Sequence, residues 1–143
     1  MLKLLVPVDG SDHSSRTIDR LLKDLTWYKD GAEIHLLNVQ RPMPYGSRVS
    51  SVIGHDKINQ YHHEEGMAAL KTAMQKLDAA KVKYQYHIGV GDEAETIVKY
   101  AKEKGCDQIF MGTRGMGSVS NLMLGSVATK VIHLAEVPVV LVK

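Results

Sequence analysis

Ile109 to His133 reads IFMGTRGMGSVSNLMLGSVATKVIH. The stretch opens on an apolar run, Ile109-Phe110-Met111, which predicts a strand. It closes on a helical pattern, with Val127, Ala128, Val131, Ile132 and Ala135 recurring on one face. Between the two lie Gly112, Gly115, Gly117 and Gly125. A strand, a glycine-rich loop and a helix start are the parts of an anion site. Glycine lets the backbone come close to an anion and take positive φ. The N–H groups at the helix start, near Ser126 and Val127, point at that anion with the positive end of the helix dipole.

The rest of the chain supplies the frame for this unit. Leu2–Val8 (LKLLVPV) is nearly all apolar, as expected of a strand covered on both faces. Asp9-Gly10-Ser11 reads as a turn, and Asp12, Ser14 or Ser15 can cap the next helix. Ile18, Leu21, Leu22 and Leu25 form that helix's apolar stripe. Glu33–Val39 is a second strand. Gln40–Asp56, with Pro42, Pro44, Gly46 and Gly54, has no clean period and reads as a long loop of the kind used for lids and binding. A second helix starts at Asp56 or Asn59 and carries Met67, Leu70, Met74 and Leu77 on one face. Lys83–Ile88 alternates, with Tyr84, Tyr86 and Ile88 opposite Gln85 and His87, so this third strand is expected at a sheet edge. Gly91-Asp92-Glu93 opens a third helix that Gly105 ends, with Ala94, Ile97, Val98 and Ala101 inward. Asp107–Met111 is the fourth strand, and Val139–Val142 the fifth, after Pro138. Strands alternating with helices predict a single α/β domain over residues 1–143, an open parallel sheet with helices on both faces. Ligands of such sheets sit beyond the carboxyl ends of the strands, where the winding reverses.

Composition excludes several functions. In 143 residues, 44% are hydrophobic and 24% charged, the pattern of a soluble globular domain. A net charge of +2, with 18 scattered basic residues, argues against nucleic acid as a partner. No apolar run reaches membrane-spanning length, and Met1-Leu2-Lys3 enters a strand directly, which argues against a signal peptide. One cysteine, Cys106, excludes an internal disulfide and suits the cytoplasm; it reads as a small, partly buried residue.

Two residues separate Gly112 from Gly115, and nine separate Gly115 from Gly125-Ser126. A Walker loop, G-x4-G-K-[ST], is absent, and a dinucleotide loop would follow the first strand. The G-x2-G-x9-G-S spacing resembles the nucleotide-binding signature of the universal stress protein family, in its ATP-binding branch, and the resemblance covers essentially the whole chain. It implies a Rossmann-like five-stranded sheet of order 3-2-1-4-5, bringing Asp9 and Gly112 together.

The resemblance also implies a set of site residues. Pro7, Val8 and Asp9 end the first strand and contact the nucleoside. Val39 reads the adenine edge through its backbone. Met111 packs near the sugar and base. Gly112, Arg114 and Gly115 line the ribose and phosphates, and Gly125, Ser126 and Val127 hold the phosphate tail. Ala128 stands where some family members have a hydroxyl. Chemically, Asp9 is a carboxylate acceptor for an amino or hydroxyl group or a metal's water shell, with capping of the following helix as the lesser alternative. Arg114 is a fixed-charge phosphate donor or a solvated loop residue.

His62 and His63, with His55 nearby, lack the i, i+4 pairing of a zinc helix and read as a solvated face. Any Mg²⁺ or Mn²⁺ is expected to arrive with the phosphates of ATP. No carboxylate or histidine lies between Gly112 and Ser126 to orient water, so at most slow hydrolysis is expected, and no catalytic residue is assigned. The function implied is a nucleotide-dependent stress-response switch. The alternatives are a slow ATPase, an adenylating enzyme of related architecture, or a structural dimer without nucleotide. An adenylating enzyme needs an S-G-G-x-D-S turn, where this chain has Asp9-Gly10-Ser11-Asp12-His13-Ser14. The apolar last strand, by the same resemblance, pairs with its copy in a homodimer.

Overall fold

Strand and helix alternate along the chain as β1 (Leu2–Pro7), α1 (Asp12–Asp24), β2 (Ala32–Gln40), α2 (His55–Ala79), β3 (Tyr84–Val90), α3 (Glu93–Glu103), β4 (Gln108–Gly112), α4 (Ser126–Leu134) and β5 (Val139–Val142). The computed structural model describes residues 1–43, 54–114 and 124–143. All strand pairs are parallel, in the order β3-β2-β1-β4-β5, as expected. The chain winds outward from β1 through β2 to β3, then returns to β4 and β5. The reversal therefore falls between β1 and β4.

Side chains alternate across a strand, and β1 shows why it is apolar throughout. Leu4, Val6 and Val8 join Ile18, Leu21, Leu70 and Leu77 in a cluster under α1 and α2. Leu5 joins Ile97, Ala101, Ile109 and Val131 under α3 and α4. Leu4, Leu5 and Val6 are all fully buried. Each such side chain contributes about 1.5–3 kcal/mol relative to exposure.

Several expectations need correction. The cap of α1 is Ser11, whose Oγ accepts from the Ser14 N–H at 3.2 Å, not Asp12, Ser14 or Ser15. The turn before it, with Gly10 at φ +83°, delivers the chain one residue early. α2 starts at His55 and is centred on Leu70, Ala73 and Leu77, with Met67 and Met74 on its margins. Gly66 lies inward because a Cβ there would come within 2.7 Å of the Ile88 side chain. His62 shares that inner face and is buried, contrary to a solvated reading, whereas His55 and His63 are exposed. Ile132 on α4 is 43% exposed rather than inward, and Val98 on α3 is half-buried. Cys106 is buried, and that burial pushes its thiol pKa up, which keeps it unreactive.

β3 is an edge strand, but its polar face is not simply wet. His87 is half-buried against β2, where His35 is only 4% exposed. Glu33 Oε1 accepts from His35 Nε2 at 2.9 Å, and His35 Nδ1 lies 3.0 Å from His87 Nε2. A carboxylate only accepts, so His35 carries a proton on Nε2; with His35 neutral, its Nδ1 takes the His87 Nε2–H. Glu33, His35 and His87 thus form one chain of hydrogen bonds across two strands.

Candidate functional site

β1 and β4 pair through Leu4–Gln108 and Leu5–Ile109. Continuing that offset sets Pro7 level with Met111 and Val8 with Gly112, at the carboxyl ends where the winding reverses. Met111 is 5% exposed and its side chain belongs to the cluster under α3 and α4. Val8, also buried, belongs to the opposite cluster, so what it offers the cleft is backbone. Pro7 is half-buried.

Gly112 is a glycine for a packing reason as well as any ligand reason. A Cβ there would lie 3.0 Å from Thr17 Oγ1 and 3.3 Å from the Arg114 carbonyl. The end of β4 is thus pressed against α1. Beyond it, the Thr113 N–H donates to Val142 O at 2.9 Å, and the Thr113 carbonyl accepts from the Gly125 N–H at 2.6 Å. A Cβ on Gly125 would stand 3.2 Å from that carbonyl. The first ties the end of β4 to β5, and the second seats the start of α4 directly against the end of β4. Arg114, half-buried, lies between them in sequence; Gly115 and Gly117 lie outside the described residues.

Gly125, the N-cap of α4, has no side chain to cap the helix. The first-turn N–H groups have no acceptor within the helix, and the helix dipole adds positive potential there. Ser126 is exposed, Val127 half-buried and Ala128 buried. A hydroxyl at position 128 would therefore point into the core. The turn carries two exposed hydroxyls, Ser126 and Thr129, and Thr129 Oγ1 donates to the Gly125 carbonyl at 2.8 Å.

Across the cleft, Asp9 ties down the entry to α1. Its Oδ1 accepts from the Ser11 N–H at 2.9 Å and from the Ser11 hydroxyl, and its own N–H donates to Ser14 Oγ at 3.0 Å. Of the two readings of Asp9, the capping one is what these bonds show: Asp9 organises the helix cap just past the carboxyl end of β1. Sequence reasoning missed Ser11 and Ser14 as its partners, although Asp-x-Ser-x-x-Ser is the local signal for an aspartate turn running into a cap.

β2 forms the next wall. The Val8 N–H donates to Leu37 O at 2.8 Å, so Leu37 faces β1 with its backbone groups. Gln40 O accepts from the Gly91 N–H at 2.9 Å, so Gln40 faces β3. Backbone direction alternates along a strand, and Val39 therefore aims its N–H and C=O to the β1 side, past the last β1–β2 pair at Pro7–Leu37. Asn38, 3% exposed, donates from Nδ2 to Val8 O at 2.8 Å. Asn38 was not singled out in the sequence; a buried amide inside the apolar run LLNV was its only mark.

The described residues contain no group of three His, Cys, Asp or Glu side chains placed to hold a metal. None of the described helices is long and apolar enough to cross a membrane.

The model of the family described as "Universal stress protein family" matches residues 1–143. Universal stress protein YxiE of Bacillus subtilis is 34% identical over an alignment of 152 residues, which takes in 99% of this chain and 98% of that protein. The solved structure of MJ0577, from Methanocaldococcus jannaschii, superposes with a TM-score of 0.81 at 27% identity, covering 99% of this chain and 95% of that one. A universal stress protein family protein from Arabidopsis thaliana, solved with AMP bound, shares the fold at a TM-score of 0.71 and 21% identity, over 100% of this chain and 92% of its own.

Proposed function

This chain belongs to the universal stress protein family, and from that membership we propose that it binds ATP, with Mg²⁺ or Mn²⁺ carried by the phosphates, as a nucleotide-dependent stress-response switch. The observation that carries the reading is the pairing of two open backbone surfaces across Gly112. On one side, Val39 presents a donor and an acceptor past the end of β1, the pattern that reads an adenine edge. On the other, the start of α4, with its glycine N-cap, presents N–H groups suited to phosphate. Asp9, just past the end of β1, is assigned to a ribose hydroxyl or a metal's water shell, and Arg114 to the phosphates; Gly115, assigned with Arg114, lies outside the described residues. The residues present therefore fit the ligand. AMP in the Arabidopsis neighbour supports the adenine half of the reading.

A dedicated catalyst is the weaker reading. The segment from Gly112 to Ser126 holds no carboxylate and no histidine, and Asp9 Oδ1 is engaged by Ser11. Binding that shifts a conformational equilibrium needs no general base; hydrolysis needs a group to orient water.

Identifying by mass any nucleotide released on denaturing fresh protein tests the reading directly, and ATP with Mg²⁺ should raise Tm in proportion to ln(1 + [L]/Kd). GTP should raise it less, because the edge read by Val39 differs. Gly115→Val should abolish binding in a folded protein. Arg114→Ala should weaken ATP more than adenosine, by about 1–3 kcal/mol. Neither a Tm shift nor calorimetric heat at millimolar ATP would overturn the proposal.

A further inference from the structure

The β1–β2 ladder is regular up to the point where the Val8 N–H donates to Leu37 O at 2.8 Å. In a parallel pair, a residue that donates to one side of its partner accepts from the residue two further on. The next rung would therefore run from the Val39 N–H to the Val8 carbonyl. The structure places a side chain at that carbonyl instead: Asn38 Nδ2 donates to Val8 O at 2.8 Å. The register of the ladder ends one pair earlier, at Pro7–Leu37.

The amide is held in one orientation. Gln40 Nε2 donates to Asn38 Oδ1 at 2.6 Å. An oxygen that receives an amide N–H leaves only the NH₂ group to face a carbonyl, so Gln40 dictates which end of Asn38 meets Val8. Asn38 alternates with Ile34 and Leu36, which belong to the cluster under α1 and α2. Its side chain thus draws the Val8 carbonyl toward that face and out of the line of the Val39 N–H. At 3% exposure, no water competes for the bond.

We propose that Asn38 is a positioning residue that keeps the β1–β2 fork open, so that the Val39 N–H and C=O remain available to the edge of an adenine. The role rests on the nucleotide reading above, but its structural half does not need a ligand. Without the Asn38 amide, the Val8 carbonyl returns to the ladder, the Val39 N–H bonds to it, and the fork closes by one rung.

Asn38→Leu keeps the volume and removes the donor. By amide hydrogen exchange on the nucleotide-free protein, protection at Val39 should rise about tenfold. ATP affinity should fall about tenfold, while affinity for inorganic tripolyphosphate, which needs only the α4 end, should be retained. Asn38→His places an imidazole Nδ1–H where the amide N–H stood and should restore both readouts. Gln40→Met frees the Asn38 amide to turn over, and should move both readouts the same way by a smaller factor even where Asn38→Leu fails to fold. Val39 protection and ATP affinity unchanged in Asn38→Leu, or in Gln40→Met where the first does not fold, overturn the proposal. Equal loss of ATP and tripolyphosphate also overturns it, since that marks general damage. A wild-type protein that takes up no ATP overturns the nucleotide reading and Asn38's part in it, even where the exchange difference stands.

Discussion

The two edges of the sheet meet the same physical problem with opposite chemistry. An edge strand carries unpaired backbone groups and invites pairing with another chain. β3 answers with polar and tethered side chains: Gln85 is exposed, and His87 is bonded through His35 to Glu33 on β2. β5 is Val139-Val140-Leu141-Val142, half-buried at all four positions. Pro138 O and Val142 O accept from Ile109 and Thr113, so the even positions of β5 face β4 and Val139 and Leu141 turn their backbone groups outward. One edge is finished by its own side chains. The other has an apolar strand with half its hydrogen-bonding groups turned away from the sheet.

The largest expected effect breaks the β5 edge. We propose a homodimer in which two β5 strands pair antiparallel about a two-fold axis. Leu141→Lys, or Val140→Lys if that side chain faces the partner, should give monomer or aggregate by light scattering during size-exclusion chromatography. Wild-type monomer at tens of micromolar would end the idea, and a dimer untouched by both substitutions would move the interface elsewhere.

The next effect loosens the β3 edge from within. His35→Ala removes the buried link between Glu33 and His87, and should cost about 1–3 kcal/mol in urea unfolding. The same substitution should leave the oligomeric state as it was. A dimer lost along with stability would mean that the two edges are coupled, against the contrast drawn here.

A smaller effect concerns pH. Burial, then repulsion from His35 where that ring is protonated and from Lys104, hold the His87 pKa below its usual 6.5. His35 on β2, itself bonded to Glu33, Tyr100 on α3 and Lys104 just after α3 are the groups that face it. The unfolded chain therefore takes up the proton first as pH falls through about 6.5, and unfolding is favoured. This contribution to stability is full above the unfolded pKa and is lost as pH drops toward the folded one. The urea midpoint should fall from pH 7 to pH 5 by more in the wild type than in His87→Asn. Equal pH dependence in the two proteins would show that His87 does not report on this edge.

The smallest effect is the control. Tyr86→Lys places a charge on a β3 side chain that is already 45% exposed. Stability should change by no more than about 0.5 kcal/mol, with assembly unaltered. Loss of the dimer here would reverse the assignment of the two edges.

Much of the architecture was legible before any coordinates. The alternation of β1-type apolar runs with helical stripes predicted the parallel α/β sheet, because period two and period 3.6 are imposed by the backbone itself. The strand order came with the family resemblance and is observed. Elements were placed within a few residues; α2 was the loosest, since Gly54 precedes it with no side-chain cap to mark its start. The inward face of α2 was shifted for the same kind of reason. Gly66 and His62 face the sheet because Ile88 fills the space beside Gly66, and no helical period reveals which neighbour will stand there.

The candidate site divides along the same line. Local chemistry marked Gly112, Gly115, Gly125 and Ser126 as candidates, because anion binding by backbone needs glycines and a helix start close together in sequence, and the family resemblance added Arg114. Tertiary structure alone decided that Gly112 must also clear Thr17, that Asp9 works through Ser11 and Ser14, and that Asn38 meets Val8 thirty residues away. It likewise decided that His35 and His87, 52 residues apart, form one hydrogen-bonded chain with Glu33. The sequence by itself determined the order and kind of the elements, since the two periods are imposed by residue-by-residue geometry. Which polar side chains met was decided only when parallel pairing brought distant strands into register, because hydrogen bonds of about 3 Å depend on that register and not on any spacing along the chain.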